Sequence, residues 1–242
     1  MRPAAAWQRR SEFRRLLNSE FRVLHSEFAS LNAILDADAA ARSGWALLDL
    51  AAAYLRGGVT FLQLRAKTMP GDTFLATASA VVQLAHRHGA RVVVNDRADI
   101  ARLAGADGVH VGQEDLGPAA VRRIVGDVSI VGLSTHSIEQ IDRAVGEPVS
   151  YVAVGPVFGT TSKDTGYGPC GLELVGEAAR RARVRGLPLV AIGGITLENA
   201  ASVLAAGAAS VAVIGDLLAT GDPEARARAF VERFSRSEPP RV

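Results

Sequence analysis

One cysteine, Cys170, stands in a chain of 242 residues. A single thiol forms no internal disulfide, and no second Cys or His lies at ligand spacing from it, so a disulfide scaffold and a zinc site are both excluded as organising features. Cys170 is expected to be a small loop residue. Aromatic residues make up only 5% of the chain and the formal net charge is +2. The one Arg-dense stretch without a hydrophobic period is the N-terminus, which gives no footprint for nucleic acid. No apolar run reaches the length of a membrane span, and residues 1–30 hold no apolar segment of the kind a secretory signal needs. The expectation is a cytoplasmic protein with neither a membrane nor a nucleic-acid partner. Lysine is the scarcest charged residue: of 27 basic side chains 25 are Arg, and only Lys67 and Lys163 are Lys. In a chain so biased, a retained Lys marks a place where a compact point charge is wanted. A nucleophile elbow, a Walker loop and a nominated Ser-His-Asp set are missing as well.

With 48% hydrophobic residues the chain is long enough to bury one sizeable core. Residues 1–30 stand apart. Ser11-Glu12-Phe13, Ser19-Glu20-Phe21 and Ser26-Glu27-Phe28 recur at steps of eight and seven, and Phe13, Leu17, Phe21, Leu24 and Phe28 keep a near-heptad spacing that predicts an amphipathic helix. The three Glu argue against an organellar transit peptide. We expect an N-terminal extension there and a single domain over residues 31–242.

From Leu31 onward, short apolar runs alternate with helical periods, the pattern of β/α units around a parallel sheet. Eight strands are predicted, at 31–35, 59–64, 91–94, 108–111, 129–133, 151–154, 187–192 and 210–214. The helix after the second strand shows the logic: Phe74, Leu75, Ala78, Val81, Val82 and Ala85 share one face, and Gly89 stops it after a basic turn. Ser137 with Gln140 makes a capping-box pattern, Pro118 suits a first helical turn, and Thr196 can cap the helix that Gly207 ends. The third helix, near 98–104, is short. Eight such units in this length fit a closed (β/α)8 barrel, with a doubly wound open sheet as the alternative.

In such a barrel the chemistry sits at the carboxyl ends of the strands. Those positions hold Gln63, Arg65 and Lys67 after strand two, Asn95 and Asp96 after strand three, and His110, Gln113, Glu114 and Asp115 after strand four. Ser134 and His136 follow strand five, and the loop from Gly155 to Lys163 follows strand six. Asp96 and Asp115 offer oxygen ligands to Mg2+, a hard ion that keeps waters and shares its shell with substrate phosphates. Gly193-Gly194 and the segment from Gly207 to Gly215 stand where many barrels grip phosphate with backbone N–H groups. His110 and His136 lack zinc-ligand spacing and are expected to be hydrogen-bonded wall residues.

These motifs together resemble the thiamine phosphate synthase family over residues 31–218. The resemblance rests on Gln63-Leu64-Arg65-Ala66-Lys67, Val94-Asn95-Asp96, the run from Gly108 to Asp115, the run from Gly132 to His136, the Gly155 to Lys163 loop, and Ala191 to Thr196. It implies a Mg2+-dependent transferase that couples a pyrimidine diphosphate to a thiazole phosphate and releases pyrophosphate. By the same resemblance Asp96 and Asp115 would hold the metal, while Lys67, Asn95, Ser134 and Lys163 would contact the diphosphate or its pyrimidine; Lys67, Ser134 and Lys163 are the implied catalytic groups. Gln63, Leu64, Arg65, Ala66 and Lys67 would line the pyrimidine pocket. Thr160, Thr161, Ser162, Gly194, Ile214 and Gly215 would bind the thiazole phosphate. The chain departs from the family pattern at Gly215, where Ser is frequent, at Gly159, where Pro is frequent, and in the Ile34 to Asp38 segment. A related thiazole tautomerase shares the Ser134-x-His136 element but has no need of the carboxylate in Gln113-Glu114-Asp115. A non-catalytic phosphate-binding barrel is the reading from another class.

Overall fold

A computed structural model describes residues 29–159 and 166–235. The amphipathic helix expected from Phe13 to Phe28, within the extension at 1–30, lies outside the described residues. Eight parallel strands close into a barrel in sequence order: β1 (Leu31–Asp36), β2 (Phe61–Arg65), β3 (Arg91–Asn95), β4 (Gly108–Val111), β5 (Ile130–Thr135), β6 (Tyr151–Val154), β7 (Leu189–Ile192) and β8 (Ser210–Val213). Closure is made by β1 pairing with β8, Asn32 opposite Ala212. The open-sheet alternative is thereby excluded. The expected strands are all present, with β2 and β7 each beginning two residues later than predicted because Val59, Thr60, Leu187 and Pro188 belong to the approach loops.

Alternate residues point to opposite sides of each strand. Ile34, Phe61, Val93, Ile130, Tyr151, Val190 and Ala212 fill the barrel interior. Leu35, Leu62, Leu64, Val92, Val94, Val109 and Val111 pack outward against the helices. The runs are apolar on both faces because both faces are covered.

The outer layer comprises α1 (Ala37–Arg42), α2 (Leu47–Arg56), α3 (Gly71–Arg87), α4 (Ala98–Ala104), α5 (Pro118–Val125), α6 (Ile138–Ala144), α7 (Gly171–Val184), α8 (Ala200–Ala205) and α9 (Pro223–Ser235), with a 3-10 turn at Gly215–Leu217. Helix α3 buries Phe74, Ala78, Val81, Val82 and Ala85 as its period predicts, while Leu75 is only partly covered. Each large apolar side chain so buried contributes about 1.5–3 kcal/mol. Gly89, at φ +69°, ends it. Pro118 opens α5. Ser137 caps α6 by accepting from the Gln140 N–H at 3.3 Å, but the Gln140 amide oxygen accepts from His136, one residue before the cap. Before α8, Thr196 accepts from the Asn199 N–H at 3.4 Å, and Gly207 follows the helix at φ +115°. Among the described residues no helix is long and apolar enough to cross a membrane.

Candidate active site

The register of β2 against β1 sets Arg65 opposite Asp36. Their side chains form an ion pair with Asp36 only 2% and Arg65 12% exposed. Asp36 also caps α1 through the Ala39 N–H at 2.8 Å, so the last residue of β1 both starts a helix and holds the guanidinium over the barrel mouth. Gln63 points inward one layer below. Leu64 is fully buried on the opposite, helix-facing side; its side chain does not reach the barrel mouth, and what it offers there is main chain. Ala66 is buried in the same outer layer. Lys67 stands on the rim, exposed.

At the next strand end, Asn95 is buried and Asp96 adopts φ +63°. The Asp96 N–H donates to the His110 carbonyl at 2.7 Å. Its carboxylate pairs with the Lys67 ammonium and lies within hydrogen-bonding reach of the Asp115 carboxylate. Burial pushes the Asp96 carboxyl above its ordinary value, and the neighbouring negative charge of Asp115 adds to this, against the lowering effect of Lys67. Asp115 is aimed by its loop, since one of its oxygens accepts the Gly112 N–H at 2.8 Å. Two carboxylates held together at a cost in ionisation make a donor set suited to a hard divalent cation. No cage of three or more His, Cys, Asp or Glu accompanies them among the described residues.

Ser134 sits at the end of β5. Its Oγ meets His110 Nε2 at 2.8 Å, and His110 Nδ1 meets the Tyr151 hydroxyl at 2.8 Å. The Gln113 amide N–H donates to the Ser134 carbonyl at 2.6 Å. His136 faces the Gly155 carbonyl through Nδ1 and stacks on Tyr167 with ring centroids 4.0 Å apart. Both histidines are thus engaged in the wall.

Beyond Ser134 a cavity of about 620 Å³ opens between the ends of β5 to β8, lined by Ser134, His136, Gly155, Gly194, Ile214 and Gly215, among others. Gly193 and Gly194 have φ of +100° and +63°. A Cβ on Gly193 would lie 2.5 Å from Pro156 and one on Gly194 2.5 Å from the Gly159 carbonyl. The glycine pair is therefore required first by the β6 loop, whose Val157 and Phe158 N–H groups bond to the Ile192 and Gly193 carbonyls at 2.8 and 3.0 Å. Asp216, on the 3-10 turn, accepts the Leu197 N–H at 3.0 Å and pairs with Arg226 of α9, which also reaches Glu198. That network ties the β7 and β8 loops together. Thr160, Thr161, Ser162 and Lys163 lie outside the described residues. Cys170 is a half-buried loop residue whose N–H donates to Pro156.

The structure brings Gln63, Arg65, Asn95 and Ser134 around one small interior void together with His110 and Tyr151, with Lys67, Asp96 and Asp115 on the rim above. Sequence reasoning missed Asp36, Tyr151 and the Asp216 to Arg226 tie. For Tyr151 a signal was present, since period-two alternation along β6 puts it on the same side as Ala153.

The thiamine monophosphate synthase family model matches residues 31–217. A thiamine-phosphate synthase of Roseiflexus sp. (strain RS-1) is 46% identical over 185 residues, 76% of this chain and 77% of that protein. One from Methanoculleus marisnigri is 45% identical over 190 residues, covering 78% and 89%. The solved thiamine phosphate pyrophosphorylase of Pyrococcus furiosus superposes with a TM-score of 0.75 at 29% identity, over 84% of this chain and 96% of its own. A barrel with this rim, matched from β1 to the 3-10 turn after β8, places the chain in the thiamine monophosphate synthase family.

Proposed function

We propose that this chain is a cytoplasmic, Mg2+-dependent transferase that joins 4-amino-5-hydroxymethyl-2-methylpyrimidine diphosphate to the phosphate of hydroxyethyl-methylthiazole, giving thiamine phosphate and pyrophosphate. The observation that carries it is the meeting of Lys67, Asp96 and Asp115 on one rim beside a separate cavity under the β7 and β8 loops. One cluster suits a diphosphate with its metal, the other a second phosphate ester. The relatives are named thiamine-phosphate synthases, which supports a reaction whose product is thiamine phosphate.

Asp96 and Asp115 would hold the metal, which when bound supplies positive charge to the leaving pyrophosphate oxygens. Lys67 adds an ammonium at the same place, and Lys163 is the second lysine assigned to it. As the C–O bond to pyrophosphate breaks, the leaving group takes the electron pair, and clamps placed in advance favour that charge more than the ground state. The pyrimidine methylene left behind is cationic and stabilised by its own ring amino group. Gln63, Arg65, Asn95 and Ser134 orient that ring, with the main chain of Leu64 and Ala66 beside it. The thiazole nitrogen then uses its lone pair to form the C–N bond, so no general base is required. Gly194, Ile214 and Gly215, with Thr160, Thr161 and Ser162, are assigned to the thiazole phosphate. Backbone N–H groups serve at Gly215, which carries no hydroxyl.

Purified protein mixed with both substrates and Mg2+ should release pyrophosphate, and should do so neither with one substrate alone nor with chelator. Binding without turnover would return the protein to a phosphate-binding sensor.

A further inference from the structure

We propose that His110 is a positioning residue which, held by Tyr151, fixes the Ser134 hydroxyl so that its hydrogen is presented to an acceptor on the pyrimidine diphosphate. The inference rests on the function proposed above and deepens it. The register places His110, Gly132 and Tyr151 side by side on β4, β5 and β6. Ser134 lies two residues beyond Gly132 and so faces the same interior. A Cβ on Gly132 would lie 2.1 Å from the Tyr151 ring and 2.5 Å from His110 Nδ1. Only a residue without a side chain lets the two rings meet across β5, where they lie nearly parallel, 5.5 Å apart. The resulting chain runs from the Tyr151 hydroxyl to His110 Nδ1 at 2.8 Å, and from His110 Nε2 to Ser134 Oγ at 2.8 Å. Tyr151 is fully buried and His110 6% exposed, so bulk water does not compete for these bonds. Ser134 is the member that also lines the large cavity.

The polarity of the chain follows from its chemistry. A phenol is a better hydrogen-bond donor than an imidazole N–H and a poorer acceptor than an imidazole lone pair, so Tyr151 O–H donates to Nδ1. Burial keeps that phenol protonated. A neutral ring whose Nδ1 accepts carries its proton on Nε2, and this N–H donates to Ser134 Oγ. With that lone pair engaged, the serine hydrogen turns to the substrate side. The Gln113 bond to the Ser134 carbonyl fixes the backbone from which the hydroxyl is aimed.

Two measurements on the full chain test this. Side-chain 15N NMR without substrate should show His110 with its proton on Nε2; a ring protonated on Nδ1 instead overturns the proposal. In kinetics of pyrophosphate release, Tyr151→Phe should lower kcat about tenfold, the loss of roughly one hydrogen bond's alignment, and should cost nothing further in a Ser134→Ala background. His110→Gln, which keeps an N–H near the place of Nε2, should retain more activity than His110→Leu. An equal cost of Tyr151→Phe in both backgrounds means a merely structural tyrosine and also overturns it. Wild-type protein that couples no substrates sinks the proposed function instead, and the tautomer measurement then decides the polarity of the chain by itself.

Discussion

Asp96 reaches the ammonium of Lys67 from a left-handed backbone, φ +63°, although it has a side chain. That conformation costs a non-glycine residue about 1–2 kcal/mol, with Asp among the residues that tolerate it best. It turns the carboxylate out of the line of β3 and across the rim, towards both Lys67 and Asp115. The Asp96 N–H bond to the His110 carbonyl holds the turn in place.

Asp96→Asn preserves size and tolerates the same backbone. Pyrophosphate release should fall by about 100-fold or more, as for removal of a preorganised electrostatic contact, while the thermal midpoint stays the same or rises. Asp115→Ala should abolish coupling. A near-normal rate in either variant would remove the diphosphate clamp from the mechanism.

Burial, reinforced by Asp115, raises the Asp96 carboxyl above 3.8 despite Lys67. The folded state then binds this proton more tightly than the unfolded chain, so the associated stability is fully present below pH 3.8 and is lost as pH rises through the raised folded value. In chelator, the melting temperature of the wild type should fall relative to Asp96→Asn over that window, and Mg2+ should narrow the gap. Melts at a series of pH values check this; a difference that does not change with pH would count against it.

Gly194→Ala places a methyl 2.5 Å from the Gly159 carbonyl and 2.8 Å from Phe158 Cβ, at a positive φ. Expected are a loss of about 1–3 kcal/mol in stability and a larger rise in KM for the thiazole phosphate than fall in kcat, because the β6 loop is displaced from that cavity. Denaturant melts and initial rates read the two effects separately.

Arg226 offsets the charge of Asp216, which is 10% exposed. Arg226→Leu should cost about 1–3 kcal/mol, less than the 3–5 kcal/mol typical of a fully buried pair, and should raise KM for the thiazole phosphate as the β7 and β8 loops part. Adding Asp216→Asn should restore part of the stability; a strictly additive double variant would show that the two do not act together.

Local patterns read correctly in the chain were those with local causes. The face of α3, the short α4 and the Pro118 start depend on a period of 3.6 and on nearby caps, and the eight strands show as short unbroken apolar runs. The acidic pair and Lys67 were legible because strand ends fall where such runs stop. Less legible was what a residue touches. Leu64 was assigned to the site by its place in a motif, and strand alternation sends its side chain to the helices. Gly193-Gly194 has the look of a phosphate grip, and the approach of the β6 loop requires the pair as well.

The sequence by itself determined a β/α alternation, a rim of charge and amide groups, and a family. Only the tertiary structure decided which of them meet. Asp36 and Arg65 are 29 residues apart, Lys67 and Asp96 another 29, and His110 and Tyr151 41. Their contacts are set by barrel closure and strand register, which are properties of the whole sheet and leave no local period in the chain. The two lysines stood out at once by their rarity. That one of them faces a strained, half-buried aspartate could be known only once β2 and β3 were side by side.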